Sequence, residues 1–268
     1  MSKGVLVFAR NNESIDYVKQ ARNLALRARE YLDLPTTLVT DVHIDDPVFH
    51  KIIVEDTEYK YTTKGYNNGK AVTTLTFKNS HRSMCFDLSP YDETIVLDSD
   101  ILICEDSFKE CFSSTKDLLL FRNAYDLGQT RDYSEFDKMT DTSINFYWAT
   151  CIFFRKTKEN KIFFELIKHI EENYEHYRML YNIKSQTFRN DFAFSIAVHI
   201  LNGHQQGDFV GEMPGKLFFT TDKDIVLEYY NDSILFLLEQ QNTSNMIPLR
   251  TKGITVHAMN KFSLEEVL

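Results

Sequence analysis

The 268-residue sequence lacks the glycine-rich signatures of the common nucleotide enzymes. It has no Walker A loop and no Gly-x-Gly-x-x-Gly after its first predicted strand, which removes the usual phosphate cradles of kinases, ATPases and dehydrogenases. Gly-x-Ser-x-Gly and His-Glu-x-x-His are also missing, so hydrolase templates find no foothold. The four cysteines (Cys85, Cys104, Cys111 and Cys151) form no Cys-x-x-Cys pair and no zinc-like pairing with histidine; they read as reduced, partly buried thiols of a cytosolic protein. No apolar run approaches the length of a membrane span, and Val5–Ala9, ending at Arg10, is too short for a signal-peptide core. The expectation is a cytoplasmic protein without a membrane span. Basic residues are in deficit, 30 against 39 acidic ones for a net charge of −9. That weighs against a broad basic surface held on nucleic acid, though not against a local patch. Repeats, linkers and low-complexity segments are absent too, and the chain reads as one domain.

What is present is an ordinary globular composition, 43% hydrophobic and 26% charged, with 21 Phe and 14 Tyr. Core packing is the default role of those rings, and some are available to line a sugar or base site. Gly4–Ala9 predicts a buried first strand. The spacing of Ile15, Val18, Ala21, Ala25, Ala28 and Leu32 predicts a helix over about 12–31, and Thr37–Thr40 a second strand ending on Asp41. Strand, helix, strand in this order make a βαβ unit with a right-handed crossover. Residues 51–69 are rich in β-branched residues and Tyr and close on Asn67-Asn68-Gly69, a turn signal. Residues 71–87 predict a helix, and Thr94–Leu97 and Asp117–Phe121 strands. The polar stretch 122–147 has no clear period, a length that often marks a functional loop. A strand over 148–155, a long helix from near Thr157, a helix over 190–201 stopped by Asn202-Gly203, and short strands near 217–220, 234–238 and 254–257 complete the reading.

The most informative segment is Thr94-Ile-Val-Leu-Asp98-Ser99-Asp100, an apolar run that ends on two carboxylates. If the strand continues through them, both point to one side. Hard oxygen ligands at a strand end suit Mn²⁺ or Mg²⁺ that is also held by a phosphate. Asp and Ser are equally common where a strand simply enters a turn, so the tripeptide alone leaves both readings open. His257 also falls at the end of a short β-like run, and imidazole with two carboxylates makes a reasonable Mn²⁺ set.

Several segments in this order resemble glycosyltransferases of the GT-A fold, most closely the group containing glycogenin and the bacterial lipopolysaccharide galactosyltransferases. They are Val5–Ala9, the stretch from Arg82 to Asp100, Trp148–Phe154, Asn190-Asp191-Phe192, and Ile254–His257 with Lys261. The C-terminal text, His257-Ala-Met-Asn-Lys261-Phe, departs from the Gly and Lys-Pro-Trp that usually follow that group's histidine. The resemblance implies an α/β fold with a GT-A type, Rossmann-like mixed sheet flanked by helices. Residues 1–121 would form the nucleotide-binding half and 122–268 the acceptor half with closing strands. It implies transfer of a sugar from a nucleotide-diphosphate sugar, a UDP-sugar first among them, to a saccharide or other glycan hydroxyl, with retention at the anomeric carbon. Asp98, Asp100 and His257 would hold Mn²⁺ or Mg²⁺. Phe8, Ala9, Asn11, Arg82, Asp98, Ser99 and Lys261 would bind the donor, and Asp191 would act at the sugar or the acceptor hydroxyl.

Each of these residues has a structural reading as well. Arg82 reads equally as a solvated helix residue, Asp191 as a helix-start carboxylate, and Asn11 as a strand-to-helix cap. Arg122 and Arg131 in the polar stretch either meet an anionic acceptor or face solvent. Two further functions remain in view. One is a DNA glycosyltransferase acting on hydroxylated bases, given a likeness to phage-encoded glycosyltransferases; the compartment would then be the host cytoplasm. The other is a non-catalytic sugar-nucleotide-binding protein.

Overall fold

The structure, a computed structural model, describes residues 1–55, 62–67, 71–129, 138–139, 144–241, 243 and 245–268. The first part runs β1 (Lys3–Phe8), α1 (Tyr17–Arg27), β2 (Thr36–Thr40), β3 (Lys51–Val54), β4 (Thr62–Asn67), β5 (Val72–Phe77), α2 (Cys85–Leu88), β6 (Glu93–Leu97), β7 (Ile101–Leu102), β8 (Leu118–Phe121) and β9 (Ala124–Asp126). Next come β10 (Trp148–Arg155), α3 (Lys158–Glu172), α4 (Tyr174–Leu180), α5 (Asn190–Leu201), β11 (Gly211–Glu212) and β12 (Leu217–Phe219). The chain ends with β13 (Ile225–Tyr230), β14 (Ser233–Glu239), β15 (Met246–Lys252), β16 (Val256–His257) and α6 (Lys261–Val267).

Among the described residues, the main sheet has seven strands in the order β11-β8-β10-β6-β1-β2-β3. Strands β6, β1, β2 and β3 are parallel, and β10 inserts antiparallel between β6 and β8. The unbroken apolar run of β1 follows from having both faces covered. Val5, Val7 and Ala9 pack on one side with Ala21, Leu24 and Ala25 of α1. Leu6 and Phe8 pack on the other with Phe163 of α3 and Phe194 of α5. This is the mixed sheet flanked by helices that the sequence implied. A second sheet, β7-β16-β12-β9, brings the C-terminal His257 beside Ile101. A meander of β13, β14 and β15 packs against α6.

Helix caps follow local chemistry. Asp16 accepts from the Lys19 amide at the start of α1, Thr157 from Asn160 at α3, and Asn260 from Ser263 at α6. Helix α5 ends where Gly203 takes a positive φ of 72°.

Two readings need correction. Residues 71–87 are not one helix: Val72-Thr-Thr-Leu-Thr-Phe77 pairs antiparallel with β4, because β-branched residues fit a pleated surface better than a helix interior. Only a 3-10 turn at Arg82–Met84 and the single turn of α2 follow. The helix after Thr157 breaks at Asn173 into α3 and α4. Strands β13 and β15 and helix α6 were not foreseen. The turn at Asn68-Gly69 and the loop residue Arg131 lie outside the described residues. All four cysteines are free and buried, and burial pushes the Cys85 and Cys111 thiols up to about 12. Among the described residues no helix is long and apolar enough to cross a membrane.

Candidate functional site

A cleft of about 470 Å³ opens at the carboxyl ends of β1 and β6, the edge where open parallel sheets place their ligands. Phe8 reaches it from the last position of β1. Asp98, Ser99 and Asp100 reach it from the residues after β6. These three are not strand residues. Asp98 donates its amide to the Thr150 carbonyl (3.1 Å), and the Asp98 carbonyl accepts from the Ile101 amide (3.1 Å), closing a turn. The two carboxylates therefore meet through a turn and not through the pleat of a strand.

His257 comes from β16, held against β7 directly behind that turn. Its Nε2 lies 3.0 Å from Asp100 Oδ2 and 4.0 Å from Asp98 Oδ2. One ligand atom from each of the three residues falls within 4.8 Å of the others. Two carboxylates and an imidazole are a donor set for Mn²⁺ or Mg²⁺, and the spacing fits one ion. Burial lowers the His257 pKa, partly opposed by Asp98, which favours the neutral imidazole that ligation requires. The buried Nδ1 has no hydrogen-bond partner among the described residues.

Cations surround the acids. Arg82 pairs with Asp98, and Lys261, the first residue of α6, pairs with Asp100. Both cations are buried, 3% and 9% exposed, in a protein of net negative charge. Burial, with repulsion from Lys64, holds the Lys261 pKa well below the ordinary lysine value. The Arg82 guanidinium rests 5.0 Å over the Phe8 ring, and its Nη1 is buried without a hydrogen-bond partner among the described residues. A guanidinium held on one nitrogen with another unpaired has a donor left for an incoming oxyanion.

Asp191 sits in the first turn of α5 and does not cap its own helix. Its Oδ1 accepts from the Ala149 amide of β10 (2.9 Å), and its Oδ2 from Arg189 Nη2 (2.7 Å) and Nε (3.2 Å). Ser99 donates to Gln20 Oε1 at 3.4 Å. Phe8, Arg82, Ser99, Asp191 and Lys261 thus share one cleft with the Asp98, Asp100 and His257 cluster.

Ala9 and Asn11 are placed differently. Ala9 is fully buried in the core, and Asn11 is occupied by Asp16 (2.9 Å) and the Val18 amide (3.0 Å). Neither lines the cleft. Arg122 stands outside it as well, its amide bonded to Glu212.

Sequence reasoning passed over Lys64, Tyr17 and Arg189, which also line the cleft. The Arg189-x-Asp191 spacing across a helix start was a readable signal for a local ion pair. Lys64 carried none, because its position depends on how the β4–β5 hairpin docks.

No family model matches this chain, and no curated protein matches it. Among solved structures, the chain is similar to the glycosyltransferase GlyE of Streptococcus pneumoniae TIGR4, at 13% identity and a TM-score of 0.44. The similarity covers 79% of this chain and 45% of that one, so the chain spans less than half of that neighbour's length.

Proposed function

We propose that this chain is a metal-dependent glycosyltransferase that moves a sugar from a nucleotide-diphosphate sugar to an acceptor hydroxyl. The observation that carries the reading is the convergence of Asp98, Asp100 and His257 with buried Arg82 and Lys261 in one cleft at the carboxyl end of the sheet. A hard-ligand metal cluster beside buried cations suits a diphosphate: the acids hold the ion, and the cations meet the phosphate oxygens. A Mn²⁺ or Mg²⁺ ion bound there would supply Lewis-acid stabilisation of the leaving diphosphate. Arg82 binds that group through the unpaired nitrogen of its guanidinium, and Lys261 exchanges its contact with Asp100 for a phosphate oxygen. Phe8, at the end of β1, offers a ring edge to the nucleoside. Asp191, fixed by Ala149 and Arg189, orients the sugar or the acceptor hydroxyl. Retention at the anomeric carbon, a UDP-sugar donor and a saccharide or other glycan acceptor complete the proposal. Residues 1–121 serve the nucleotide, and 122–268 form the acceptor half with the closing strands that return His257 and Lys261 to the metal and diphosphate.

The test is a thermal-shift and calorimetric panel of uridine, guanosine and cytidine diphosphates and their sugars, with and without Mn²⁺, followed by donor hydrolysis. One base family should stabilise the protein only with the metal. Asp98→Ala and Asp100→Ala should abolish both binding and hydrolysis. Failure of every diphosphate to bind in Mn²⁺ overturns the reading. Metal-dependent binding without hydrolysis or transfer leaves a sugar-nucleotide-binding protein instead.

A further inference from the structure

We propose that Lys64, carried on the β4–β5 hairpin, is a further diphosphate-binding residue of this cleft and takes up the charge that develops as the diphosphate leaves. The proposal rests on the reading of the cleft as a nucleotide-diphosphate-sugar site. The docking of the hairpin and the charge balance of the walls support it independently.

Strands β4 and β5 form a two-stranded sheet of their own. Side chains at alternate positions of a strand share a face, so Lys64 and Tyr66 point the same way. Tyr66 is buried in the core, its hydroxyl 2.8 Å from that of Tyr17. The opposite strand is tied down by Thr76, whose hydroxyl donates to Glu13 (2.6 Å) and whose carbonyl accepts from Asn12 (3.0 Å). Just past β5, Lys78 pairs with Asp41 at 3.1 Å. With its face set by Tyr66 and its register by Thr76, the hairpin turns Lys64 toward the cleft, where it forms part of the wall with Thr63 and Phe77.

Every carboxylate in the cleft already has a cation. Asp98 has Arg82, Asp100 has Lys261, and Asp191 has Arg189. Lys64 is the fourth cationic side chain against three carboxylates in the lining, and among the described residues no carboxylate pairs with it. Its ammonium instead stands 5.4 Å from the Phe77 ring centre and 5.8 Å from that of Tyr66. The side chain is exposed, as a residue of an open wall is. Desolvation, and after it repulsion from Arg189, lowers its pKa, with Asp98 and Asp191 opposing. Lys64 in turn acts on Lys261 and His257. A surplus cation facing other cations is unfavourable until an anion enters.

The surplus also has the right sign for the reaction. The diphosphate of a sugar nucleotide is a diester, and breaking its bond to the sugar leaves a terminal phosphate with an additional negative charge. A cation beside the departing oxygen stabilises that charge more than the ground state, which is how such groups accelerate a reaction.

The experiment compares the wild-type protein with Lys64→Met, which keeps the apolar stem, and Lys64→Arg, which keeps the charge. Titrations in Mn²⁺ use UDP, GDP and CDP, the matching nucleotide sugar, and the free nucleoside. Lys64→Met should weaken nucleoside diphosphate about 10-fold, the scale of one charge-assisted hydrogen bond. It should weaken the nucleotide sugar less and leave the nucleoside unchanged, and neither Mn²⁺ affinity nor the thermal midpoint of the free protein should fall, because the cation removed is a surplus one. Lys64→Arg should restore most of the loss. Unaltered diphosphate affinity in Lys64→Met, with binding intact in the wild type, overturns the role of Lys64 and leaves the cleft reading standing. Equal weakening of nucleoside and diphosphate assigns the effect to hairpin distortion and also overturns it, as does equal weakening of diphosphate and nucleotide sugar for the leaving-charge role. Absence of diphosphate binding in the wild type overturns both readings. If Lys64→Met does not fold, Lys64→Gln provides the same comparison.

Discussion

His257 Nε2 lies 3.0 Å from Asp100 Oδ2 although 157 positions separate the two residues. The contact exists because β16 pairs antiparallel with β7, the two-residue strand that leaves the Asp98–Asp100 turn. The same carboxylate also pairs with Lys261. One buried aspartate thus ties the end of the chain to the turn after β6, and stability and the proposed metal site meet at one side chain.

Asp100→Ala should therefore do two separable things. Removing one partner of a buried pair leaves Lys261 uncompensated and should cost about 3–5 kcal/mol of stability, read from urea unfolding. Mn²⁺ binding should disappear in calorimetry. The double variant Asp100→Leu with Lys261→Met should recover much of the stability, because an apolar pair can replace a buried ion pair, while Mn²⁺ binding stays absent. Recovery of metal binding in the double variant would show that Asp100 is not a ligand.

Asp191 is expected to separate architecture from chemistry. Asp191→Ala removes the acceptor for the Ala149 amide and the partner of Arg189 and should lower stability by about 1–3 kcal/mol. Asp191→Asn keeps an oxygen for Ala149 and should retain most of that stability, yet lose donor turnover through the missing charge. An Asn variant with wild-type turnover would confine Asp191 to holding α5 on β10.

Gly4 tests the packing beneath the site. A Cβ at this position would stand 2.3 Å from the Cζ of Tyr91, whose hydroxyl accepts from Thr37 at 2.9 Å. Gly4→Ala forces that ring to move and should destabilise by about 1–3 kcal/mol, seen as a lowered unfolding midpoint. Adding Tyr91→Leu should return part of it, giving a coupling energy in the double-mutant cycle.

The pH dependence of folding should carry a signature of His81. Burial, then Arg10 and Arg82, lowers its pKa from 6.5 to about 4. The folded protein binds this proton less readily than the unfolded chain, so the group's contribution is complete above pH 6.5. It is lost progressively as the pH falls from 6.5 toward about 4. In urea titrations across that window His81→Gln should show a shallower loss of stability than the wild type. Matching slopes would exclude the assignment.

The residues that make the sheet were readable because each signal is local. An unbroken apolar run such as Val5–Ala9 has nowhere to go but between two covered faces, and Asn190–Leu201 carried its own stop signal. Residues 71–87 misled because alternate β-branched residues were averaged into a helical stretch, and strands such as β13 and β15 hide when half their side chains face solvent. In the cleft, Asp98, Asp100 and His257 were found as types of ligand. Asn11 was a candidate whose side chain proved to be held at the start of α1.

The sequence by itself determined the kind of fold and the chemical vocabulary of the site: buried parallel strands and two aspartates at the end of one of them. Only the tertiary structure decided how those groups face one another. The aspartates converge through a turn locked to Thr150, His257 arrives through a strand pairing across 157 positions, and Lys64 enters from a hairpin anchored on Tyr17 and Glu13. The physical reason is range. Periodicity and capping are settled within a few residues, whereas charge balance in a cleft depends on which distant segments dock there.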